Sequence, residues 1–179
     1  MKLEKFFYIN SIQKYNYDYI KKTKAKLILR DKKINNIRNY LTIKKECFKR
    51  RIPLYIANNI KLFFKLKLKG IYISAYNKQQ MNHLKNLSNK IEIIGSAHNL
   101  KEIIEKKKQG CNKIILSRIF KTYKKNHMGV IRFNLLSNIS NKIICLGGIN
   151  SNTFKKVKMI NCVGVALKSD HMNKPKYLI

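Results

Sequence analysis

Eight short apolar runs recur along this chain of 179 residues: FFYI at Phe6, KLIL at Lys26, PLYIA at Pro53, GIYIS at Gly70, IEIIGS at Ile91, KIIL at Lys113, KIICL at Lys142 and CVGVAL at Cys162. Rich in β-branched residues and lacking polar alternation, they read as strands buried on both faces. Between them lie stretches with helical spacing or helix-start signals, at Ile34 to Arg51, Asn59 to Leu68, Asn77 to Leu87, Asn99 to Gln109 and Ser151 to Met159. Strands joined through helices make right-handed βαβ units and a parallel sheet. Eight of them predict an α/β fold, a small (β/α)8 TIM barrel, with an open doubly wound sheet as the alternative. Such barrels usually run to about 250 residues, so the first and last helices are expected to be short, irregular or missing. Residues 1–179 are read as one domain.

The segment Asn99 to Gly110 carries the clearest helix signals: a capping Asn, Glu102 in the first turn, and lysines before a closing glycine. Its spacing predicts that Leu100, Ile103 and Ile104 are buried. The segment KIICLGGIN, Lys142 to Asn150, ends a strand in two glycines followed by an Asn-Ser pair that can open a helix. Paired glycines there let backbone N–H groups approach an anion beside a helix N-terminus. An ordinary tight turn would use the same residues.

Composition narrows the function classes. With 45% hydrophobic and 10% aromatic residues the chain is globular, and no apolar run approaches the length of a membrane span. MKLEKFFYIN is too soon polar for a secretory signal and reads as the first strand. Cys47, Cys111, Cys145 and Cys162 form no CxxC pair, so neither a disulfide framework nor a zinc site is indicated. Cys145 and Cys162 read as small core residues, and a reducing cytoplasm is the expected location. The formal charge of +32 would suit nucleic acid, but Arg occurs only at 30, 38, 50, 51, 118 and 132, without an arginine-rich arm. The preferred reading is a solvated lysine-rich surface whose field also favours a small anionic substrate.

In a barrel, chemistry belongs at the carboxyl ends of the strands. Those ends carry Arg30, Asp31 and Lys32; Ala57, Asn58 and Asn59; Ser74 to Asn77; Ser96 to His98; Ser117 to Asn126; Gly147 and Gly148; and Lys168 to Asp170. The set is cationic and rich in hydroxyls, with Asp31 and Asp170 its only acids, so paired-carboxylate catalysis is not expected.

Taken in order, these strand ends resemble the thiamine phosphate synthase family and its thiazole tautomerase branch. LILRDK at Leu27 to Lys32 is similar to the family's Q-x-R-E-K segment, PLYIANN at Pro53 to Asn59 to its strand ending in N-D-D, and GIYISAYN at Gly70 to Asn77 to its strand ending in Q-E-D. IIGSAHNLKE at Ile93 to Glu102 is similar to G-x-S-x-H and the helix after it. LSRIFKTYKK at Leu116 to Lys125 resembles the G-P-x-F-x-T-x-T-K loop, CLGGIN the I-G-G-I turn, and CVGVALKS at Cys162 to Ser169 the A-D-G-V-A-V-x-S ending.

The resemblance implies a (β/α)8 barrel that joins hydroxymethylpyrimidine diphosphate to thiazole phosphate with release of pyrophosphate. It implies small phosphorylated heterocycles as partners and Mg²⁺ as cofactor, and leaves a homodimer open. Carried over by position, Arg30, Lys32, Ala57, Ser96 and Lys125 would surround the pyrimidine diphosphate, and Thr122, Lys124, Gly148, Lys168 and Ser169 the thiazole phosphate. The chain departs from the pattern at Ile28, where the family has Gln, and at Ala57, where it has Asn. Asn58 and Asn77 stand where it has the two Asp that hold Mg²⁺, and a neutral amide is a poorer ligand for a hard dication. Lys124 replaces a Thr and Arg118 a Pro. His98 matches the acid/base residue of the tautomerase branch, a role the unperturbed histidine pKa of about 6.5 would suit, and reads otherwise as a helix-capping or solvent-facing residue. A non-catalytic binder of phosphorylated ligands or nucleic acid on the same barrel is a further alternative.

Overall fold

The computed structural model describes residues 3–10, 15–30, 37–87, 90–122, 126–140 and 142–168. All eight expected strands are present: β1 (Glu4–Ile9), β2 (Lys26–Leu29), β3 (Leu54–Ala57), β4 (Gly70–Ile73), β5 (Glu92–Ala97), β6 (Lys113–Ser117), β7 (Ile143–Leu146) and β8 (Gly164–Lys168). Each pairs in parallel with the next, and β8 returns to β1, from Glu4 opposite Gly164 to Tyr8 opposite Lys168. That last ladder closes the barrel and excludes the open sheet.

Alternation along each strand divides the core in two. One set, Phe6, Tyr8, Ile28, Tyr55, Tyr72, Ile94, Ile115, Ile144 and Ala166, packs inside the barrel. The intervening residues, such as Phe7, Leu27, Ile56, Ile93 and Val165, face outward beneath the helices. Both faces are therefore dry, which is why the strands read as unbroken apolar runs.

The amino ends of the strands are sealed by charge. Lys26 Nζ bonds Glu4 (2.7 Å) and Glu92 (3.3 Å), Lys113 Nζ bonds Glu92 (2.6 Å) and Glu4, and the Tyr55 hydroxyl donates to Glu92. Burial works against ionisation of both carboxyls, but the bonds from Lys113, Lys26 and Tyr55 outweigh it and hold Glu4 and Glu92 below the usual carboxylate range. Burial also opposes the charge on Lys113, and its two carboxylate partners reverse that and raise its pKa. At Gly70 a β-carbon would run into the Tyr55 ring, so the glycine is what lets that ring fill the lower barrel.

The helices are α1 (Tyr17–Lys22), α2 (Ile37–Lys49), α3 (Ile60–Lys65), α4 (Asn82–Leu87), α5 (Leu100–Lys108), α6 (Gly129–Ser137) and α7 (Ser151–Phe154). None among the described residues is long and apolar enough to cross a membrane. The first helix is short, as expected, but regular: the Asn16 side chain caps it by accepting from the Tyr19 N–H, Ile20 is buried, and Asp18 pairs with Arg50 just after α2. A helix after β8 would fall outside the described residues. The expected helix from Ser151 to Met159 is one helical turn followed by a 3₁₀ turn, Lys155–Met159. Helix α4 begins at Asn82 rather than Asn77, because Asn77 is used in the turn after β4. The burial expected along α5 is only partly met. Ile103 is buried, but Leu100 and Ile104 are 45% and 41% exposed, and the second buried position is Lys106. Cys145 and Cys162 are core residues as expected, with Cys162 Sγ 3.7 Å from Cys145 Sγ.

Candidate functional site

The inner face continues upward by the same alternation. Arg30 follows Ile28, Ser74 follows Tyr72, Ser96 follows Ile94, Ser117 follows Ile115 and Lys168 follows Ala166, so the apolar interior gives way to hydroxyls and cations at the carboxyl ends. Ser74, Ser96 and Ser117 are buried there. Tyr8 belongs to the same zone. Its ring stands edge-on to Tyr72 with centroids 5.5 Å apart, and the Arg30 guanidinium lies 5.3 Å from its centroid. The Tyr8 hydroxyl is fully buried and makes no hydrogen bond of good geometry among the described residues. Burial pushes this phenol well above its ordinary pKa, Tyr72 adds to the rise and Arg30 opposes it, so the group stays a neutral donor.

A cavity of about 480 Å³ opens over β6, β7, β8 and the end of β2. Among the described residues four cations line it, Arg30, Arg118, Lys121 and Lys168, together with Ser117, Thr122, Gly147, Gly148 and Asn150, and none of these lining residues is a carboxylate. Its wall is built by the loop after β6 lying on the glycine pair. The Ile119 N–H donates to Leu146 O (3.1 Å) and the Phe120 N–H to Gly147 O (3.1 Å). Gly147 and Gly148 have φ of 106° and 67°, and a β-carbon on Gly148 would stand 2.5 Å from Lys121 O and 2.7 Å from Phe120 C. The paired glycines are therefore required twice, for the backbone conformation and for the contact. Below them, the Asn150 side chain accepts from the N–H groups of Asn152 and Thr153 (both 3.0 Å), and the Thr153 hydroxyl donates to Gly148 O (2.7 Å). The sequence reading placed a helix N-terminus beside these glycines. That helix, α7, is a single turn, too short for a large macrodipole, so the field in the cavity comes from the side-chain cations.

Of the residues singled out from sequence, Arg30, Thr122, Gly148 and Lys168 are brought together in this one cavity. Ala57 stands on the inner face of β3 and Ser96 on that of β5, away from the lining. Lys32, Lys124, Lys125 and Ser169 lie outside the described residues, as do Asp31 and Asp170. Lys121 lines the cavity without having been given a role from sequence, and Asn150, read there only as a helix opener, lines it too. The signal for both was local: a loop able to rest on two glycines brings its own next cation with it.

The opposite side of the mouth, over β3 and β4, has different chemistry. Asn58 has φ 57° and its Oδ1 accepts from the Ser74 N–H (2.9 Å), the Ser74 hydroxyl (3.0 Å) and Asn77 Nδ2 (3.2 Å), while its Nδ2 donates to the Tyr76 hydroxyl (3.0 Å). Asn77 Oδ1 accepts from the Gln79 N–H (2.8 Å). The two expected Mg²⁺ positions do meet, but their amide oxygens are occupied by donors within the protein. Among the described residues no three His, Cys, Asp or Glu side chains come together. All six described carboxylates are engaged elsewhere: Glu4 and Glu92 in ion pairs at the barrel floor, Asp18 and Glu46 with Arg50 and Glu105 with Lys78, and Glu102 in hydrogen bonds with His98. The donor set at Asn58 and Asn77 does not fit a hard dication.

His98 is held at the start of α5. Its Nδ1 lies 2.9 Å from Glu102 Oε2, and its backbone N–H donates to the same oxygen (2.8 Å). Partial burial opposes the Glu102 charge, but these bonds prevail and keep its pKa below the usual carboxylate range. Asn99 caps the same turn by accepting from the Glu102 N–H (2.9 Å). His98 is not among the residues that line the cavity.

A family model described as thiamine monophosphate synthase matches residues 17–170. The chain is 26% identical over 156 residues to the thiamine-phosphate synthase of Clostridium acetobutylicum, covering 83% of this chain and 74% of that protein. It is 28% identical over 134 residues to the thiamine-phosphate synthase of Clostridium botulinum strain Eklund 17B, covering 72% of this chain and 62% of that protein, less than two thirds of its length. Among solved structures, a thiamine phosphate pyrophosphorylase from Pyrococcus furiosus superposes with a TM-score of 0.76 at 14% identity, over 98% of this chain and 90% of that one. The thiamine phosphate pyrophosphorylase of Bacteroides thetaiotaomicron gives 0.64 at 16% identity, over 98% and 87%. At such identities the structural likeness speaks for the fold alone.

Proposed function

The chain belongs to the thiamine monophosphate synthase family, and from that premise and the geometry of the mouth we propose that it joins hydroxymethylpyrimidine diphosphate to thiazole phosphate, releasing pyrophosphate. The observation that carries this reading is the cavity in which Arg30, Arg118, Lys121 and Lys168 gather around the Gly147–Gly148 turn, with no carboxylate among its described lining residues. In the reaction the thiazole nitrogen forms a bond to the pyrimidine methylene carbon as the carbon–oxygen bond to the diphosphate breaks, and the bonding pair leaves with pyrophosphate. No proton has to be removed in that step, so it does not call for a carboxylate pair. What the step needs is positive charge placed in advance where the leaving group accumulates negative charge. Arginine and lysine side chains on a closed barrel meet that need without large reorganisation. His98, bonded to Glu102, is not among the residues that line the cavity, and this reading assigns it no step.

The test is a two-substrate assay that follows thiamine phosphate by mass. Product above the uncatalysed level, falling steeply in Arg30→Ala and Lys168→Ala, is the expected result. Absence of product with both substrates at saturating concentration would refute the synthase reading.

A further inference from the structure

The two sides of the mouth differ in a way the family resemblance did not imply. We infer that this barrel takes its phosphorylated ligand as the metal-free anion, and that the place of a divalent cation is closed by an amide–hydroxyl latch, Asn58–Ser74–Asn77, which Lys106 and Gln109 hold from behind. This rests on the reading of the cavity as a phosphate site.

The latch is saturated. A carbonyl oxygen offers two lone pairs, and Asn58 Oδ1 already accepts three hydrogen bonds, from the Ser74 N–H, the Ser74 hydroxyl and Asn77 Nδ2. A cation entering there would have to break them and would gain one neutral ligand. The second amide oxygen, Asn77 Oδ1, is bound by the Gln79 N–H.

Behind the latch stands a buried positive charge. Lys106 is 0% exposed, and its Nζ donates to Asn77 O (2.7 Å) and to Gln109 Oε1 (2.7 Å). Gln109 Nε2 in turn donates to Asn77 O and Gln79 O (both 3.0 Å). Helix α5 and its C-cap residue Gln109 thus grip the backbone on both sides of Lys78 and fix Asn77 against Asn58. An ammonium bonded to the main chain of one supposed ligand repels a dication at that ligand's side chain, and in a low-dielectric setting the repulsion is strong. Lys106 is a positioning residue here, acting through Asn77. Charge neutralisation passes instead to Arg30, Arg118, Lys121 and Lys168 across the mouth.

Inorganic pyrophosphate and Mn²⁺ are sufficient probes. By calorimetry at constant ionic strength, wild-type protein should bind pyrophosphate in EDTA, and excess Mg²⁺ should weaken the binding, since the magnesium complex carries less charge. By electron paramagnetic resonance, wild type should leave Mn²⁺ free at millimolar concentration, whereas Asn58→Asp/Asn77→Asp should bind it. That double variant should also invert the Mg²⁺ effect on pyrophosphate. Lys106→Met, similar in volume, should let Asn77 loosen and give the double variant a higher Mn²⁺ affinity. Tightening of pyrophosphate binding by about tenfold or more when Mg²⁺ is added to wild type would overturn the inference, as would Mn²⁺ binding that Asn58→Ala abolishes. Failure to bind pyrophosphate with or without Mg²⁺ would instead refute the phosphate-site reading, and the inference would fall with it. The wild-type measurements decide the matter even if a variant does not fold.

Discussion

Replacing Gly148 with Ala tests whether the cavity depends on the seating of one loop on one glycine. Two costs add. At φ 67° an L-residue is in the left-handed region, which costs about 1–2 kcal/mol. The new methyl would also meet backbone rather than a yielding side chain, Lys121 O at 2.5 Å and Phe120 C at 2.7 Å, and overpacking of that kind costs about 1–3 kcal/mol. Gly129 provides the control, because its φ is 74° and nothing lies within 4 Å of the position a β-carbon would take. Gly129→Ala should therefore lose only the conformational term. The two variants should differ by about 2 kcal/mol, a separation of about 4–8 °C in melting temperature for a chain of this size. Urea unfolding should show the midpoints separated at equal slopes. Because the displaced loop carries Arg118, Lys121 and Thr122, Gly148→Ala should also weaken binding of a phosphate ester, and Gly129→Ala should not. Equal midpoints and equal affinities for the two variants would show that the loop does not rest on Gly148.

Further expectations concern the cations, the barrel floor and the buried phenol. Arg118→Ala and Lys121→Ala should each remove a charge-assisted contact worth about 1.5–3 kcal/mol, so titration with a phosphate ester should show losses of about tenfold or more and a shallower dependence on salt. Since Glu4 and Glu92 have lowered pKa values in the folded state, their contribution is present above the unfolded value and is lost as pH falls through the lowered one. The raised pKa of Lys113 gives stability that is full below its unfolded value and lost as pH rises through the raised one. Glu92→Gln should cost about 2 kcal/mol at neutral pH, less than the roughly 3–5 of a fully buried pair because the floor is partly exposed. It should also flatten the acid limb of a stability–pH profile; an unchanged acid limb would count against the floor network. Tyr8→Phe removes a buried hydroxyl that lacks a partner of good geometry, so urea unfolding should show stability unchanged or raised by about 1 kcal/mol, and a marked loss would mean that the hydroxyl is bonded within the fold.

The division of the mouth into a cationic side and an amide side explains which parts of it the sequence could disclose. The barrel was legible because each strand is dry on both faces and leaves an apolar run. The cavity over β6 to β8 was legible in outline because its parts are either local, as with Gly148 and the cap at Asn150, or recur at the same strand height, as with Lys168. Helix α6 was not, since GVIRFNLLS has no side-chain cap, leaves Ile131 and Leu135 exposed, and buries only Phe133 and Ser137. The largest failure concerns α5. Spacing alone puts Leu100 and Ile104 inside, yet the position that goes in is Lys106, a residue type that composition rules keep out of cores. It can enter because a carbonyl 29 residues away, that of Asn77, and the amide of Gln109 receive its ammonium. No local pattern encodes that partnership; it exists only once the barrel has closed and brought the turn after β4 against α5. The same closure decides what Asn58 and Asn77 are. As isolated letters they are weakened metal ligands, but in the folded chain each side-chain amide oxygen has a protein donor, and the main-chain carbonyl of Asn77 receives the buried Lys106 ammonium. Restoring a carboxylate at only one of these positions should therefore give little metal affinity, because the neighbouring amide would still turn a donor toward it, and both must change before a dication finds two anionic ligands.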